Sequence, residues 1–465
     1  MLAMIRNGQE MSGSQKLSLI VQLSIPSILA QLTTIMMFYI DASMVGSLGA
    51  RASASIGIVE STTWLFGGLT SAAALGFSVQ AAHFIGANDF GKARAVFRQG
   101  LMATALFTVI LTSICLAIAG PLPRWLGGGA DICGDASAYF AIYCCSLPVY
   151  QIGILSSSML KSSGNMRVPS LMSILMCLLD VVFNFMLIYE TRTVTLFGTG
   201  ITVPGAGMGV PGAALGTALA YLVTGVMLIW FATVKSPELS LRNEKWSFAP
   251  MWGYLRNAAK VSLPMGAQYM MMSGAQIVST MIVAPLGNIA IAANTLAITA
   301  ESLCYMPGYG IGDAATTLVG QSIGAGRAPL ARSFAYRTVF MGMGVMAFMG
   351  AVMYIFAPQM IGVMTPDEQV RLLGSQALRI EAFAEPMFAA AIVTYSVCLG
   401  AGDTFKPACM NLASMWLVRL TLAAYLAPTY GLRGVWTAMA IELTLRGTIF
   451  LVRLFRGKWM KAGFK

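Results

Sequence analysis

Long apolar stretches alternate with short polar connections along the chain. Each stretch could cross a bilayer as a helix, which takes about 20 residues. A membrane barrel would instead show ten-residue segments in which apolar and polar residues alternate. The first, second, seventh and eighth stretches are long, so their helices should tilt, bend or project beyond the lipid. The twelve predicted spans are residues 18–46, 53–85, 101–120, 138–160, 169–189, 209–234, 259–284, 290–322, 335–357, 375–398, 407–428 and 433–455.

One polar stretch, residues 190–208, stands between the fifth and sixth spans. Its residues alternate in character around Gly198 and Gly200. Alternation about glycines is typical of two short strands joined by a tight turn. We therefore predict a small β-hairpin outside the membrane at this position.

The chain contains an internal repeat. Pro26 and Pro169 recur as Pro264 and Pro407, and the two pairs have the same offset (264 − 26 = 407 − 169 = 238). Leu-Gly at 48–49 and Ile-Gly-Ala at 85–87 recur at this offset as well. A constant offset of this kind indicates a duplicated structural unit. The offset carries six spans, an even number, so both copies should cross the membrane in the same direction.

These observations predict an all-α integral membrane protein with twelve transmembrane helices in two parallel-repeat six-helix lobes. The first lobe would comprise residues 1–234, a cytoplasmic linker 235–258, and the second lobe 259–465. Two similar bundles that meet at one interface can rock and expose that interface to each side in turn. The repeat therefore favours a transporter over a channel.

The composition and the charge pattern agree with a membrane location. The chain is 57% hydrophobic and 10% charged, whereas soluble domains are about 25% charged. Most of the net charge of +11 lies in alternate connections, such as those with Lys92, Lys161 and Arg332. By the positive-inside rule both termini should face the cytoplasm, as expected for a multi-pass protein of the cell inner (plasma) membrane. No basic stripe with interleaved aromatic residues points to nucleic acid.

The sequence gives no sign of a catalytic centre or of a metal centre built from histidines and cysteines. Eight cysteines occur without Cys-x-x-Cys spacing, and His83 is the single histidine. There is no His-Glu-x-x-His, and no Gly-x-Ser-x-Gly accompanied by triad partners. We therefore expect no enzyme activity and no cofactor.

Ionisable residues inside apolar spans are costly and usually functional. Asp41 lies near the end of the first span, and Asp180 and Asn184 share one face of the fifth. Thr217 lies about two turns into the sixth span, at the same side of the membrane. We predict that these four residues converge on an ion-coupling site. Neighbouring carboxylates resist both being ionised and so form a proton site, whereas carboxylate, amide and hydroxyl oxygens also suit Na⁺.

The second half carries different ionisable residues. The repeat partner of Asp41 is Ser279, so that acid is not repeated. Glu381 and Glu385 lie one turn apart in the tenth span, where they could attract a cationic substrate or take part in coupling. Glu60 in the second span is a further candidate.

Three charged residues lie in the last two spans. Glu442 and Arg446 are four residues apart on one helix face and could pair. Arg419, at mid-depth in the eleventh span, also needs an anionic partner. We predict that the three form structural ion pairs that hold the second lobe together.

Several ordered motifs resemble those of the multidrug and toxic compound extrusion (MATE) transporters. Each motif is weak alone, but the ordered set covers nearly the whole chain. The resemblance implies a V-shaped central cavity between two six-helix lobes, and export of drugs or organic cations driven by entry of Na⁺ or H⁺. The motifs are Pro26, Asp41-x-x-Met44-Val45-Gly46, Gly164-Asn-Met-Arg-Val-Pro169, Gly209-Val-Pro-Gly-Ala-Ala-Leu-Gly-Thr217, Val319-Gly-Gln-Ser-Ile-Gly-Ala325 and Gly402-Asp-Thr-Phe-Lys-Pro407.

The resemblance also bears on the predicted coupling site. Asp41 matches the acid of the family's first helix, and Thr217 matches the threonine of its sixth. Many members carry Asn and then Asp four residues later in the fifth helix. This chain has Asp180 and then Asn184, so the order is reversed and the carboxylate moves by one turn. Met37 stands where some members have a tyrosine.

The chain has 33 methionines, with runs at 36–37 and 270–272. Methionine adapts to irregular shapes and suits promiscuous pockets. In the family arrangement the first and seventh spans would face the cavity. The candidates for lining the cavity are therefore Met36, Met37 and Met271 of these two spans, and the acids named above, Glu60, Glu381 and Glu385, are further candidates. The expected partners are small cationic or amphipathic molecules and membrane lipid, and the protein is expected to be a monomer.

A lipid-linked saccharide or lipid flippase is the alternative, because it can share the two-lobe architecture. Its pocket should hold several Arg or Lys residues for a pyrophosphate. Only Arg419 is in a central position, and this favours the exporter.

Overall fold

The apolar stretches fold into long helices in the computed structural model, which describes residues 1–245, 247, 249–461 and 464. Eleven of the helices in these ranges are long and apolar enough to cross a membrane, and one bent pair supplies a twelfth crossing. The twelve-span prediction is confirmed. In the first half the helices are α1 (Leu2–Arg6), α2 (Gly13–Gly46), α3 (Ala50–Gly86), α4 (Phe90–Ala119), α5 (Leu122–Trp125), α6 (Ala130–Ser162), α7 (Arg167–Leu187) and α8 (Val210–Trp230).

The second half repeats the order of the six spans, without counterparts of the short helices α1 and α5. Its helices are α9 (Trp252–Val283), α10 (Asn288–Gly324), α11 (Ala328–Met364), α12 (Glu368–Ala382), α13 (Glu385–Gly400), α14 (Phe405–Ala413), α15 (Leu420–Tyr430) and α16 (Leu432–Arg456). A π-helical turn, Phe231–Lys235, extends α8, and another, Ser414–Arg419, joins α14 to α15. The predicted linker, 235–258, includes Trp246 and Phe248, which lie outside the described residues, and α9 already begins at Trp252. The three domain boundaries stay a prediction.

The repeat extends to the backbone conformation. Helices α3 and α10 are related by the repeat offset at both of their ends, and each is preceded by a glycine with positive φ, +115° at Gly49 and +104° at Gly287. Residues with a Cβ rarely adopt such angles, so glycine is required at both turns. Gly209 and Gly431 play the same part before α8 and α16, at φ +65° and +67°.

The tenth span differs from the single helix predicted over 375–398. It consists of α12 and α13, which meet at an angle of 60°. Pro386 has no N–H to bond the carbonyl of Ala382, so the helix is weakest at this point. The proline alone does not explain the break, because its repeat partner Pro148 lies inside the unbroken helix α6. The break is therefore particular to the second copy.

The predicted hairpin is confirmed. Strand β1 (Glu190–Leu196) pairs antiparallel with β2 (Thr199–Ala206), and Leu196 faces Thr199 across the turn. The two turn residues, Phe197 and Gly198, have φ of +50° and +81°. Two positive angles in a two-residue loop match the right-handed twist of the flanking strands. We call this end of the bundle the hairpin end, and the opposite end, with Lys92 and Arg332, the basic end.

The two lobes meet along a seam in which α2 and α3 pack on α9 and α10. At the basic end the backbones touch. A Cβ on Gly86 would collide with the carbonyl of Gln321, and one on Gly324 with the carbonyl of His83. His83 Nε2 also donates to the carbonyl oxygen of Gly400 at 2.7 Å. The seam is therefore closed at the basic end in this conformation.

Candidate functional site

Three helices of the first lobe bring the four predicted coupling residues together. Helix α7, with Asp180 and Asn184, packs between α2, with Asp41, and α8, with Thr217. All four residues lie in the hairpin-end half of their helices. Asp180 and Asn184 are fully buried, and Asp41 and Thr217 are partly buried.

The four side chains form one hydrogen-bonded cluster. Asn184 Nδ2 donates to Asp41 Oδ1 at 2.8 Å and to Asp180 Oδ2 at 3.3 Å. Thr217 Oγ1 donates to Asp180 Oδ1 at 2.7 Å. The amide therefore bridges two carboxylates that would otherwise repel each other. Asp180 and Asn184 are one helical turn apart, so the reversed order still presents one acid and one amide on the same face.

The cluster has oxygen atoms to offer an ion. Asn184 Oδ1 is buried and has no hydrogen-bond partner. Within the described ranges no Lys or Arg forms an ion pair with Asp41 or Asp180. A buried polar atom normally has a partner, and a buried carboxylate needs a proton or a counter-ion. This arrangement can hold either a proton or a hard cation.

A glycine on the neighbouring helix makes room for the amide. A Cβ on Gly216 would collide with Asn184 Oδ1 and would lie 3.0 Å from the backbone nitrogen of Asn184. Only a residue without a side chain lets α8 pass this close to α7. Gly216 thus positions the amide that bridges the two acids, a role the sequence alone did not reveal.

The predicted cavity residues have different surroundings. Met36 is exposed and borders a cavity of about 410 Å³ between α2, α10 and α11. Met271 and Glu60 are also exposed, whereas Met37 is only 1% exposed. Met37 therefore lines no open surface in this conformation.

Glu381 and Glu385 are likewise closed to a substrate in this conformation, because both are fully buried. They lie beside Glu301 of α10, and one carboxylate oxygen from each of the three falls within 4.8 Å of the others. Glu301 falls within the predicted eighth span, residues 290–322, but the sequence alone does not indicate these neighbours.

Glu442 of α16 pairs with Arg446 of the same helix and with Arg419 of the π-helical turn Ser414–Arg419. Glu442 Oε2 accepts from Arg419 Nη2 at 2.7 Å, and Glu442 Oε1 accepts from Arg446 Nε at 2.8 Å. Ser414 Oγ donates to the same carboxylate at 2.6 Å. Glu442 is fully buried, so the two arginines satisfy a carboxylate that would otherwise be costly.

A second polar cluster crosses the seam. Asp313 Oδ2 of the second lobe accepts from Lys161 Nζ at 3.1 Å and from Ser27 Oγ at 2.7 Å, both of the first lobe. Gln31 Nε2 lies 3.4 Å from the same oxygen. The sequence pattern placed Lys161 in a basic connection, but α6 continues to Ser162 and keeps Lys161 in its last turn. The predicted span ends at residue 160, two residues before the end of the helix, so Lys161 falls outside that span.

The chain has two repeated bundles of membrane-crossing helices, a seam closed at one end, and buried acids inside both lobes. These features define a multi-pass membrane protein built as a two-lobe transporter. The MatE family profile matches the chain twice, at residues 26–186 and 264–425. The chain belongs to the MatE family, the MATE transporters. The two matches begin at Pro26 and Pro264, the first matching pair of the internal repeat.

Relatives and solved structures agree with this assignment. The chain is 24% identical over 452 residues to a probable multidrug resistance protein NorM of Thermotoga maritima, which covers 95% of this chain and 93% of the relative. It is 21% identical to the multidrug resistance protein MdtK of Yersinia enterocolitica, with 95% of each chain covered.

The fold is similar to that of solved transporters. The MATE transporter VcmN of Vibrio cholerae superposes with a TM-score of 0.86 at 15% identity, over 95% of this chain and 97% of that one. A MOP superfamily transporter of Pyrococcus furiosus gives 0.85 at 21% identity, over 97% and 99%. At such identities the likeness concerns the fold.

Proposed function

We propose that this protein exports drugs or organic cations from the cell in exchange for Na⁺ or H⁺, by alternating access. The observation that carries the proposal is the buried cluster of Asp41, Asp180, Asn184 and Thr217 in one lobe of a two-lobe transporter. The names of the relatives, both multidrug resistance proteins, support drugs as the cargo.

Ion binding at the cluster can be coupled to opening of the seam, because helix α2 takes part in both. Helix α2 carries Asp41 near its hairpin end and Ser27 at the seam. A proton or Na⁺ that neutralises the cluster removes the repulsion between Asp41 and Asp180, so α2 and α7 can pack differently with and without the ion. In this proposal the basic end faces the cytoplasm, and one chain supplies both lobes and acts as a monomer.

The contacts of Arg419, the one central arginine considered for the flippase alternative, do not support that alternative. Arg419 is bound to Glu442 through two nitrogens, so it is not available to a pyrophosphate. A flippase would need a free basic pocket at the seam.

The test is ethidium efflux from proteoliposomes, with Na⁺ and pH gradients imposed separately. Asp41→Asn and Asp180→Asn should each abolish gradient-driven efflux, because each removes one of the two acids that hold the ion. Asp135→Asn is the matched control, since Asp135 is an exposed acid near the hairpin end and should leave efflux unchanged. Undiminished efflux in both site variants would refute the proposed coupling site. Ethidium binding without flux would refute the transport proposal.

A further inference from the structure

A cavity of about 370 Å³ opens between α9 and α14 at the basic end of the second lobe. Arg256 and Lys260 lie one turn apart on α9, so they occupy the same helix face. Phe405 is the first residue of α14 and lines the cavity from that helix. The cavity therefore combines two cations with apolar walls. Its lining residues are Arg256, Ala259, Lys260, Leu263, Pro264 and Phe405.

No acid balances the two cations within the part of the chain that the structure describes. Arg256 and Lys260 are exposed, and neither forms an ion pair there. Thr404 Oγ1 donates to the backbone carbonyl of Lys260 at 3.2 Å, which holds the start of α14 against α9 but supplies no charge. Like charges one helical turn apart repel each other. An anion bound between the two side chains would remove this repulsion.

The two cations lie at the depth of lipid headgroups. Helix α9 has 32 residues, so its length of about 48 Å exceeds the hydrocarbon thickness of about 30 Å. About 20 residues cross the hydrocarbon, and a crossing counted from Val283 reaches the other boundary near Leu263. Arg256 and Lys260 then lie in the headgroup layer. Trp252, one turn further out, is 75% exposed, as is typical of tryptophan at the membrane interface.

The apolar walls of the cavity lie on the hydrocarbon side of the cations. Leu263 and Phe405 are 71% and 68% exposed, and at this depth such side chains contact acyl chains. Cations at headgroup depth and apolar side chains just below them match the two parts of a phospholipid. A free phosphate ion would use the cations alone, so the apolar walls favour a lipid as the occupant.

The first lobe lacks this pair of cations. The repeat partners of Arg256 and Lys260 are Ser18 and Gln22. Helix α2 continues without a break through both of these positions, so the repeated architecture does not require cations there. The paired cations are particular to the second copy, and a role outside the packing of the helices accounts for them.

We propose that this cavity binds one anionic phospholipid of the leaflet at the basic end. The headgroup phosphate lies between Arg256 and Lys260, and an acyl chain packs along Leu263 and Phe405. Basic pockets between transmembrane helices bind anionic headgroups. A zwitterionic lipid carries a cation of its own and gains less from the pair. The site shares no residue with the ion-coupling cluster of the first lobe, so it is independent of the proposed transport activity.

The test is native mass spectrometry of the purified full-length protein in detergent with added phosphatidylglycerol. The parent should retain one phosphatidylglycerol per chain, and it should bind phosphatidylcholine more weakly. The double variant Arg256→Ser/Lys260→Gln installs the first-lobe residues. It should weaken binding about thirtyfold, and each single substitution about fivefold, because each cation attracts the anionic lipid separately. Arg456→Ser/Lys458→Gln removes the same charge from exposed positions outside the cavity and should leave the affinity unchanged.

Two further measurements separate a lost lipid site from a folding defect and from phosphate binding. Phosphatidylglycerol should raise the melting temperature of the parent, because it binds the folded state. The double cavity variant should lose this rise while keeping the melting temperature that the parent has without lipid. Glycerol 3-phosphate, which has no acyl chains, should not bind at the same concentration. The proposal is overturned if the parent binds both lipids equally, if the cavity and control variants lose phosphatidylglycerol alike, or if glycerol 3-phosphate binds as tightly as the lipid.

Discussion

The ion pair between Lys161 and Asp313 should stabilise the closed seam relative to the open one. Asp313 belongs to the second lobe, and its three partners, Lys161, Ser27 and Gln31, belong to the first. These contacts exist only while the lobes touch at the basic end. Asp313→Asn keeps the side-chain shape but removes the charge, so it weakens the closed state and leaves the interior of each lobe intact.

The size of the effect follows from the exposure of the pair. The side chains of Lys161 and Asp313 are 24% and 32% exposed, so solvent screens the ion pair and its contribution is about 0.5–1 kcal/mol. Replacing the charged acceptor also weakens the 2.7 Å hydrogen bond from Ser27, by about 1 kcal/mol. The sum, about 1–2 kcal/mol, should raise the ratio of open to closed seam by a factor of roughly 5–30.

The assay is double electron–electron resonance between spin labels at Ala87 and Ala328, two exposed positions on opposite sides of the seam. The two exposed cysteines are replaced by serine beforehand. The parent should show one short distance, and Asp313→Asn should add a longer one. Asp89→Asn removes a charge at the same end within one lobe and should change nothing. Identical distance distributions in the parent and Asp313→Asn would refute the reasoning.

Two further substitutions test the interiors of the lobes. Gly216→Ala should lower ion-driven efflux about tenfold, because the new methyl group displaces the amide of Asn184 that bridges the acids. Gly57→Ala, at a helix glycine with open space around it, should leave efflux unchanged. Equal efflux from both variants would contradict the role of the amide. Glu442→Gln should lower the free energy of unfolding by about 3–5 kcal/mol, since it leaves two largely buried arginines without a carboxylate. The measurement is the melting temperature in detergent, and a value equal to that of the parent would contradict the pairing.

The sequence by itself determined the parts of this structure that depend on local signals. Apolar runs of membrane length predicted the twelve crossings, and the constant offset between matching positions predicted the duplicated unit. The hairpin followed from alternation around Gly198, because a two-residue turn acts over a few neighbouring residues. The shared face of Asp180 and Asn184 followed from the period of the α-helix alone.

Tertiary structure decided which of these elements meet. Asn184 and Asp41 are 143 residues apart, and only the packing of α7 against α2 brings them to 2.8 Å. Glu301 and Glu381 meet because α10 packs on α12. Pro386 marked a weak point in the tenth span, yet Pro148 occupies the same point in an unbroken helix. The sequence could place the four coupling residues at one depth of the membrane. Their distances, and the contacts between other distant segments, depend on the packing of whole helices, which local residue patterns do not specify.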